Sequence, residues 1–287
     1  MAKRERGRLS VVATPIGNLE DITLRALRVL RECDAILAED TRRTRALCTH
    51  HGVATPLRSF HAHTPDDKVI AIADELAEGA HYSLVTDAGT PLVSDPGARL
   101  VAAAAERGVA VEPIPGPSAV LAALSAAGLH VHAFRFVGFL PRSGKKRARA
   151  LEAIARAGEA TVLFEAPTRL PSTLRDLAAA AGGDRRAAVC RELTKVHEEV
   201  ARGSLAELCA RYAEPPRGEV TIVVEGAPEE EGELEGADPE ELARALLARG
   251  LRTKEAARRF AELSGTTMRE AYAVVLAVAG RGERRGS

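Results

Sequence analysis

From Leu9 to Val224 the chain alternates short apolar runs with amphipathic stretches, a rhythm that few folds accommodate. "LSVVATP", "AILAED", "HYSLVTD" and "VAVEPIP" read as strands. Between them, "DITLRALRVLREC" places Ile22, Leu24, Leu27, Val29 and Leu30 at helical spacing, and "TRRTRALCTHH", "VIAIADELAEG", a stretch through Arg107 and "SAVLAALSAAG" read as further helices. Strands that are apolar throughout, each followed by a helix, imply a mainly parallel sheet covered on both faces. "GLHVHAFRF" joins this region to a second one, with strands over "FVGFL", "ATVLFEA", "RAAVCRE" and "GEVTIVVEG". Its helices are expected from Lys145 to about Ala157, after Pro167 and over "SLAELCARY".

The expected fold class is therefore α/β, with two α/β domains at 1–128 and 129–226. An acidic linker at 227–238 leads to a helical domain at 239–287. There "PEELARALLARG", "RTKEAARRFAELSG" and "TMREAYAVVLAVAG" predict three short helices, each stopped by Gly, and the last is capped by Thr266 or Thr267. Such a trio fits a helix-turn-helix-like bundle.

Composition narrows the class of function. A chain of 287 residues builds its core without covalent staples, and Cys33, Cys48, Cys190 and Cys209 form no C-x-x-C pair, which points to free thiols in a reducing cytoplasm. The basic N-terminus is followed by no apolar signal segment, and no stretch of about eighteen apolar residues occurs, so neither export nor a membrane span is expected. Forty basic and forty acidic residues cancel, yet they are segregated. "PRSGKKRAR" (Pro141–Arg149) carries five cations and "TRRTR" (Thr41–Arg45) three, while Gly226–Glu241 holds acids only. Local basic patches for a polyanion follow, although a solvated helix face also accounts for any single run.

No G-x-G-x-x-G follows the first strand, and neither a P-loop nor a G-x-S-x-G elbow occurs. His61 with His63, and His130 with His132, find no third ligand at metal spacing, so no metal is expected. What remains is a set of Gly- and Pro-rich loops at the carboxyl ends of strands: "ATPIGNLED", "AEDTRRT", "TDAGTPLVSDPG" and "PIPGPSA". That edge is where open parallel sheets hold ligands. Within "DAGTPLVSDPG", Asp95 suits the cap of the following helix better than Asp87 does.

These residues, in order, resemble the tetrapyrrole-methylase superfamily: "TPIGNLEDIT", "AEDTRRT", "TDAGTPLVSDPG", "PGPSAVLAALSAAGL", "GFLPR", "FEAPTRL" and "RELTKVHEE". Within it they resemble the branch that methylates the ribose 2′-hydroxyl of a cytidine in 16S rRNA, the family target being cytidine 1402 of the decoding centre. The resemblance implies a ligand cleft between the two α/β domains, S-adenosylmethionine as cofactor, a homodimer, and 16S rRNA in the 30S subunit as partner. "TPIGNL" departs from the G-x-G-P-G-D loop of the porphyrin and corrin methylases, which favours RNA over a ring substrate. A methyltransferase acting on a tetrapyrrole or other small molecule is the alternative, and an RNA-binding adaptor with a vestigial cleft is a third reading. Phe164 and Thr168 stand where relatives commonly carry Tyr and His, which makes both positions poor candidates for essential chemistry.

Carried residue by residue, the resemblance places Pro15, Gly17, Asp87, Gly89, Pro91, Gly116, Ser118, Ala119 and Glu165 at the cofactor. Arg43, Arg142, Lys145, Lys146, Arg147 and Arg149 are the expected RNA contacts. For catalysis, Glu39 or Asp40 is expected to orient or deprotonate the hydroxyl, with Arg42 and Lys195 holding phosphate or stabilising the developing alkoxide. Structural ion pairing accounts for either group almost as well.

Overall fold

The computed structural model describes residues 7–92, 97–228, 238–248 and 251–283. They fall into two compact units, Met1–Ala227 and Pro228–Ser287. Asp95, expected as a helix cap, and most of the acidic linker lie outside the described residues.

The first unit carries two five-stranded sheets. Strands β1 (Arg8–Val12), β2 (Ala35–Ala38), β3 (Leu57–Ser59), β4 (His81–Val85) and β5 (Ala110–Ile114) run in the order β3-β2-β4-β1-β5, and every pairing is parallel. Helices α1 (Leu24–Glu32) and α2 (Thr41–His50) bury Ala26, Val29, Leu30, Leu47 and Cys48 against Val12, Ile36 and Val85 on one face. On the other face α3 (Asp66–Ala77) and α4 (Ala98–Glu106) bury Ile72, Leu76, Leu100 and Ala104 against Leu9, Leu37 and Leu84. Neighbouring strand residues thus serve opposite faces, which is why these strands read as unbroken apolar runs. Strand β3 was not foreseen, because "LRS" alone has no strand pattern.

The second sheet is mixed. β6 (Phe134–Phe139), β7 (Ala160–Glu165), β8 (Arg186–Arg191), β9 (Glu199–Ser204) and β10 (Val220–Val224) are ordered β6-β7-β10-β8-β9. Only β6 pairs with β7 in parallel; β10 runs antiparallel to both β7 and β8, and β9 antiparallel to β8. Helices α6 (Gly144–Ala155), α7 (Leu170–Ala181) and α8 (Leu205–Arg211) cover one face through Ile154, Leu174, Leu177 and Leu208. The opposite face is covered by α5 (Ala119–Ala127), whose Val120, Ala123 and Ala127 pack on Val162, Ala188, Cys190 and Val223. A helix assigned by sequence to the first domain therefore builds the core of the second sheet. That packing ties the two α/β lobes into one unit.

The second unit has its own core. α9 (Pro239–Ala248), α10 (Thr253–Ser264) and α11 (Met268–Glu283) bury Leu242, Leu246, Phe260, Ala271 and Val275 together. Thr267 caps α11: its backbone N–H donates to Glu270 Oε2 at 3.0 Å, and Glu270 N–H donates to its hydroxyl at 3.4 Å. Gly280, expected as the stop, lies inside that helix. Among the described residues no helix is long and apolar enough to cross a membrane.

Candidate active site

The connection from β1 leads across β4 to β2, whereas the connection from β4 leads back across β1 to β5. Adjacent strands whose connections leave in opposite directions open a crevice beyond their carboxyl ends, the usual ligand position in open parallel sheets. Two loops meet there. Thr14 and Gly89 exchange backbone hydrogen bonds, each N–H donating to the other's carbonyl at 2.9 Å, and Thr14 Oγ1 donates to the Thr86 carbonyl. Gly89 has φ +81°, a conformation side-chain-bearing residues rarely adopt, so glycine keeps the turn.

The carboxyl end of β7 and the beginning of β10 face this crevice, and two connected hollows result. The larger, about 420 Å³, is walled by Gly89, Thr90, Ser118, Ala119, Phe164 and Thr221, with Glu165 and Pro167 contributing. The smaller, about 270 Å³, is lined by Pro15, Gly17, Thr44, Ala46, Thr86 and Lys195. Ile16, Arg43, Asp87, Ala88 and Glu219 line both. The larger falls within the range of small-molecule sites, about 300–1,000 Å³, and the smaller just below it. The larger hollow is mostly apolar, with the Phe164 ring 5.7 Å from that of Phe139, and offers a flat ligand an aromatic wall.

Charged groups concentrate at the junction. Asp87 accepts the Asp40 N–H at 3.0 Å and lies 3.5 Å from Arg43 Nη1, so it fastens the β4 loop to the start of α2. Lys195 Nζ donates to Glu192 Oε1 at 2.8 Å and to Glu219 Oε2 at 2.9 Å. Burial works to lower the lysine's pKa, but the two carboxylate hydrogen bonds outweigh it and the net shift is upward. Hydrogen bonding to Lys195, then to the Glu219 N–H, holds Glu192 below the usual carboxylate range. The loop carrying Lys195 is strained: Glu192 and Thr194 sit at φ +51° and +67°, which costs non-glycine residues on the order of 1–3 kcal/mol each. It is held there by Glu198, which accepts the Thr194 N–H, and by Asn18, whose N–H donates to Thr194 Oγ1 at 3.0 Å. At Gly17 a Cβ would come within 2.4 Å of Lys195 Cγ, so glycine there lets the lysine lie across the β1 loop.

Several expected site residues stand elsewhere. Pro91 is buried and Gly116 lies against Ala13; neither lines a hollow, and both shape loops instead. Glu39, Asp40 and Arg42 also line neither hollow. Asp40 caps α2 by accepting the Arg42 N–H, and it binds the Arg42 guanidinium through both oxygens. Those bonds lower its pKa to about 2 and occupy both of its oxygens. Glu39 accepts the Thr86 hydroxyl, so both carboxylates tie neighbouring loops together and neither lines a hollow.

Arg147 is likewise a correction. It is buried, donates to Asp176 Oδ2 at 2.9 and 2.7 Å, to the Pro141 carbonyl and to Thr173 Oγ1, and is not available to RNA. Thr173 in turn donates to the buried Glu165 carboxylate at 2.6 Å, so the network reaches the wall of the larger hollow. Arg142, Lys145, Lys146 and Arg149 are exposed, as expected of an RNA-facing run. Phe164, set aside at the sequence level for lacking a hydroxyl, contributes its ring to the hollow. Thr221 and Glu219 were missed altogether.

The sequence matches the family model of the Tetrapyrrole (Corrin/Porphyrin) Methylases over residues 8–209. It is 43% identical over 273 residues to "Ribosomal RNA small subunit methyltransferase I" of Halalkalibacterium halodurans, covering 93% of this chain and 94% of that one. The chain belongs to this methyltransferase family. The Bacillus subtilis protein of the same name is 41% identical over 276 residues, covering 94% of each chain. The family member of that name from Thermotoga maritima is 45% identical over 221 residues, which is 99% of that protein and 77% of this chain. Among solved structures, uroporphyrin-III C-methyltransferase of Thermus thermophilus complexed with S-adenosylhomocysteine superposes with a TM-score of 0.55 at 20% identity, covering 76% of this chain and 97% of that one. Cobalt precorrin-4 methyltransferase gives 0.58 at 19%, covering 76% and 94%. At these identities the likeness shows the fold.

Proposed function

We propose that the protein transfers a methyl group from S-adenosylmethionine to the ribose 2′-hydroxyl of a cytidine in small-subunit ribosomal RNA, the residue expected from the sequence. The observation that carries this reading is the pair of neighbouring hollows that share Arg43, Asp87 and Glu219, the larger of a size for the cofactor and the smaller with a lysine held cationic at its edge. The names of the relatives support the substrate class. An aromatic ring at Phe164, the small Ala119 and the open backbone at Gly89 suit a flat adenine, while Asp87 and Arg43 suit the amino-acid end. When bound, S-adenosylmethionine supplies a methyl group activated by a sulfonium centre. Lys195 stays charged at neutral pH and is therefore an electrostatic stabiliser of the hydroxyl oxygen as it becomes anionic, not the base. A homodimer acting in the cytoplasm on the assembled 30S subunit belongs to the same proposal, and the exposed apolar side chains of Leu121, Phe134 and Val137 are the kind of surface a second copy covers.

Incubation with labelled S-adenosylmethionine and either 30S subunits or uroporphyrinogen tests the substrate class. Label is expected at one cytidine ribose of 16S rRNA; label on the ring compound alone would refute the RNA reading. Asp87→Ala is expected to weaken S-adenosylhomocysteine binding by roughly 1–3 kcal/mol in calorimetry, the value of a charge-assisted hydrogen bond. An unchanged affinity would leave Asp87 only the task of fastening its loop to α2.

Replacing Lys145, Lys146 and Arg149 with alanine is expected to weaken binding to 30S subunits and to flatten its salt dependence, because each lost phosphate contact releases fewer counterions. Identical salt slopes for variant and wild type would show that this run does not meet RNA.

A further inference from the structure

The geometry points to the smaller hollow as the seat of the acceptor nucleotide, turned out of its RNA strand, with Glu219 receiving the proton of the hydroxyl that is methylated. This rests on the RNA-methylation reading and names the group and the space that serve it.

The two hollows differ in the way a donor and an acceptor site must differ. The smaller one, at about 270 Å³, is of a size for one nucleoside rather than for a folded RNA element, and Thr44, Thr86, Arg43 and Lys195 set polar groups into an otherwise largely apolar wall. Enzymes that act on one nucleotide of a structured strand take it into a pocket of that kind. A methyl group passing from one hollow to the other crosses their shared wall, and that wall holds two carboxylates, Asp87 and Glu219. Asp87 holds the Asp40 N–H on Oδ1 and Arg43 on Oδ2, and in the proposed complex its remaining acceptor capacity goes to the amino-acid end of the cofactor. Glu165, which lines only the larger hollow, is committed to the Ala166 N–H, Arg169 and Thr173. Glu219 uses Oε2 for Lys195, and among the described residues Oε1 has no hydrogen-bond partner. It is the carboxylate oxygen at the junction still free to accept a hydroxyl proton.

Atoms and charge balance as follows. A lone pair of the hydroxyl oxygen forms the new O–C bond, the methyl–sulfur bond breaks with its electron pair remaining on sulfur, and the cationic sulfonium becomes a neutral thioether. The hydroxyl proton goes to Glu219 and from there to water. Lys195, on the other oxygen of the same carboxylate, faces the oxygen while it carries negative charge.

Two variants of the full-length protein test this, read by S-adenosylhomocysteine calorimetry and by single-turnover methylation of 30S subunits. Ala46 is exposed on α2 and lines the smaller hollow only, so Ala46→Phe fills that space without touching the other. Its S-adenosylhomocysteine affinity is expected within about twofold of wild type, with methylation reduced tenfold or more. Glu219→Gln keeps an oxygen for Lys195 but takes no proton. Cofactor and subunit affinities are expected within about threefold, with the rate down on the order of 10²-fold and recovering as pH rises and hydroxide replaces the base. Methylation by Ala46→Phe at the wild-type rate, or a tenfold loss of its S-adenosylhomocysteine affinity, would overturn the placement of the nucleotide. A near-normal rate or a flat pH profile for Glu219→Gln would overturn its role as base. Failure of the wild-type protein to methylate RNA would remove the underlying reading and this inference with it.

Discussion

Arg147→Ala is expected to lower the free energy of unfolding by about 2–4 kcal/mol, below the full cost of breaking a buried ion pair because water reaches Asp176. Arg147 is 10% exposed, and its guanidinium donates to Asp176, Thr173 and the Pro141 carbonyl; in the variant Asp176 and Thr173 lose that donor, while Pro141 keeps only the longer bond from Arg169. The Thr173 hydroxyl is the link to Glu165, so the loss reaches the floor of the larger hollow. Urea denaturation followed by circular dichroism measures it, with the Lys145, Lys146 and Arg149 variant as the comparison. That triple variant is expected to unfold at the wild-type midpoint. Equal midpoints for Arg147→Ala and wild type would contradict the buried network.

The second large effect is catalytic. Lys195→Met is expected to reduce single-turnover methylation by on the order of 10²- to 10³-fold, the usual result of removing a preorganised charge from a developing oxyanion. S-adenosylhomocysteine affinity is expected within about threefold, because Lys195 lines the smaller hollow and not the larger. Glu198 and Asn18 still hold the loop when the ammonium's bonds to Glu192 and Glu219 are lost, so the fold is expected to survive the change. A variant that binds cofactor normally and transfers methyl at the wild-type rate would show that Lys195 serves only to pair Glu192 with Glu219.

The parallel lobe was legible, β3 excepted, because its strands are mainly apolar and the loops at their carboxyl ends carry Gly, Pro or Asp signals. The loops themselves were found that way, and of the residues the resemblance placed on them Pro15, Gly17, Asp87, Gly89, Ser118 and Ala119 line a hollow while Pro91 and Gly116 do not. The second lobe defeated the same rule. β10 runs antiparallel to β7 and β8, with Val220 opposite Glu165 and Arg191, so its beginning, not its end, reaches the ligand edge. Glu219 and Thr221 were therefore invisible to a search at strand ends. β9 was missed because "EVARGS" puts Glu, Arg and Gly in an edge strand, where exposed charge is tolerated and no apolar run survives. Arg147 was misread for a different reason. Counting cations along "KKRAR" ignores the helix period, which places Arg147 seven residues from buried Ile154, on the inward face of α6. Asp40 was singled out because a helix-capping aspartate beside its own arginine has the same sequence signature as a catalytic acid at a strand end.

The central claim is that the switch-point crevice is where the methyl donor sits, and a crystal structure of the full chain with S-adenosylhomocysteine tests it most directly. The account predicts the adenine in the larger hollow against Phe164 and Ala119, Gly89 at the ligand, and the sulfur directed toward Glu219 and the smaller hollow. Density for the ligand at any other place on the molecule, or in the smaller hollow beside Lys195, would contradict it.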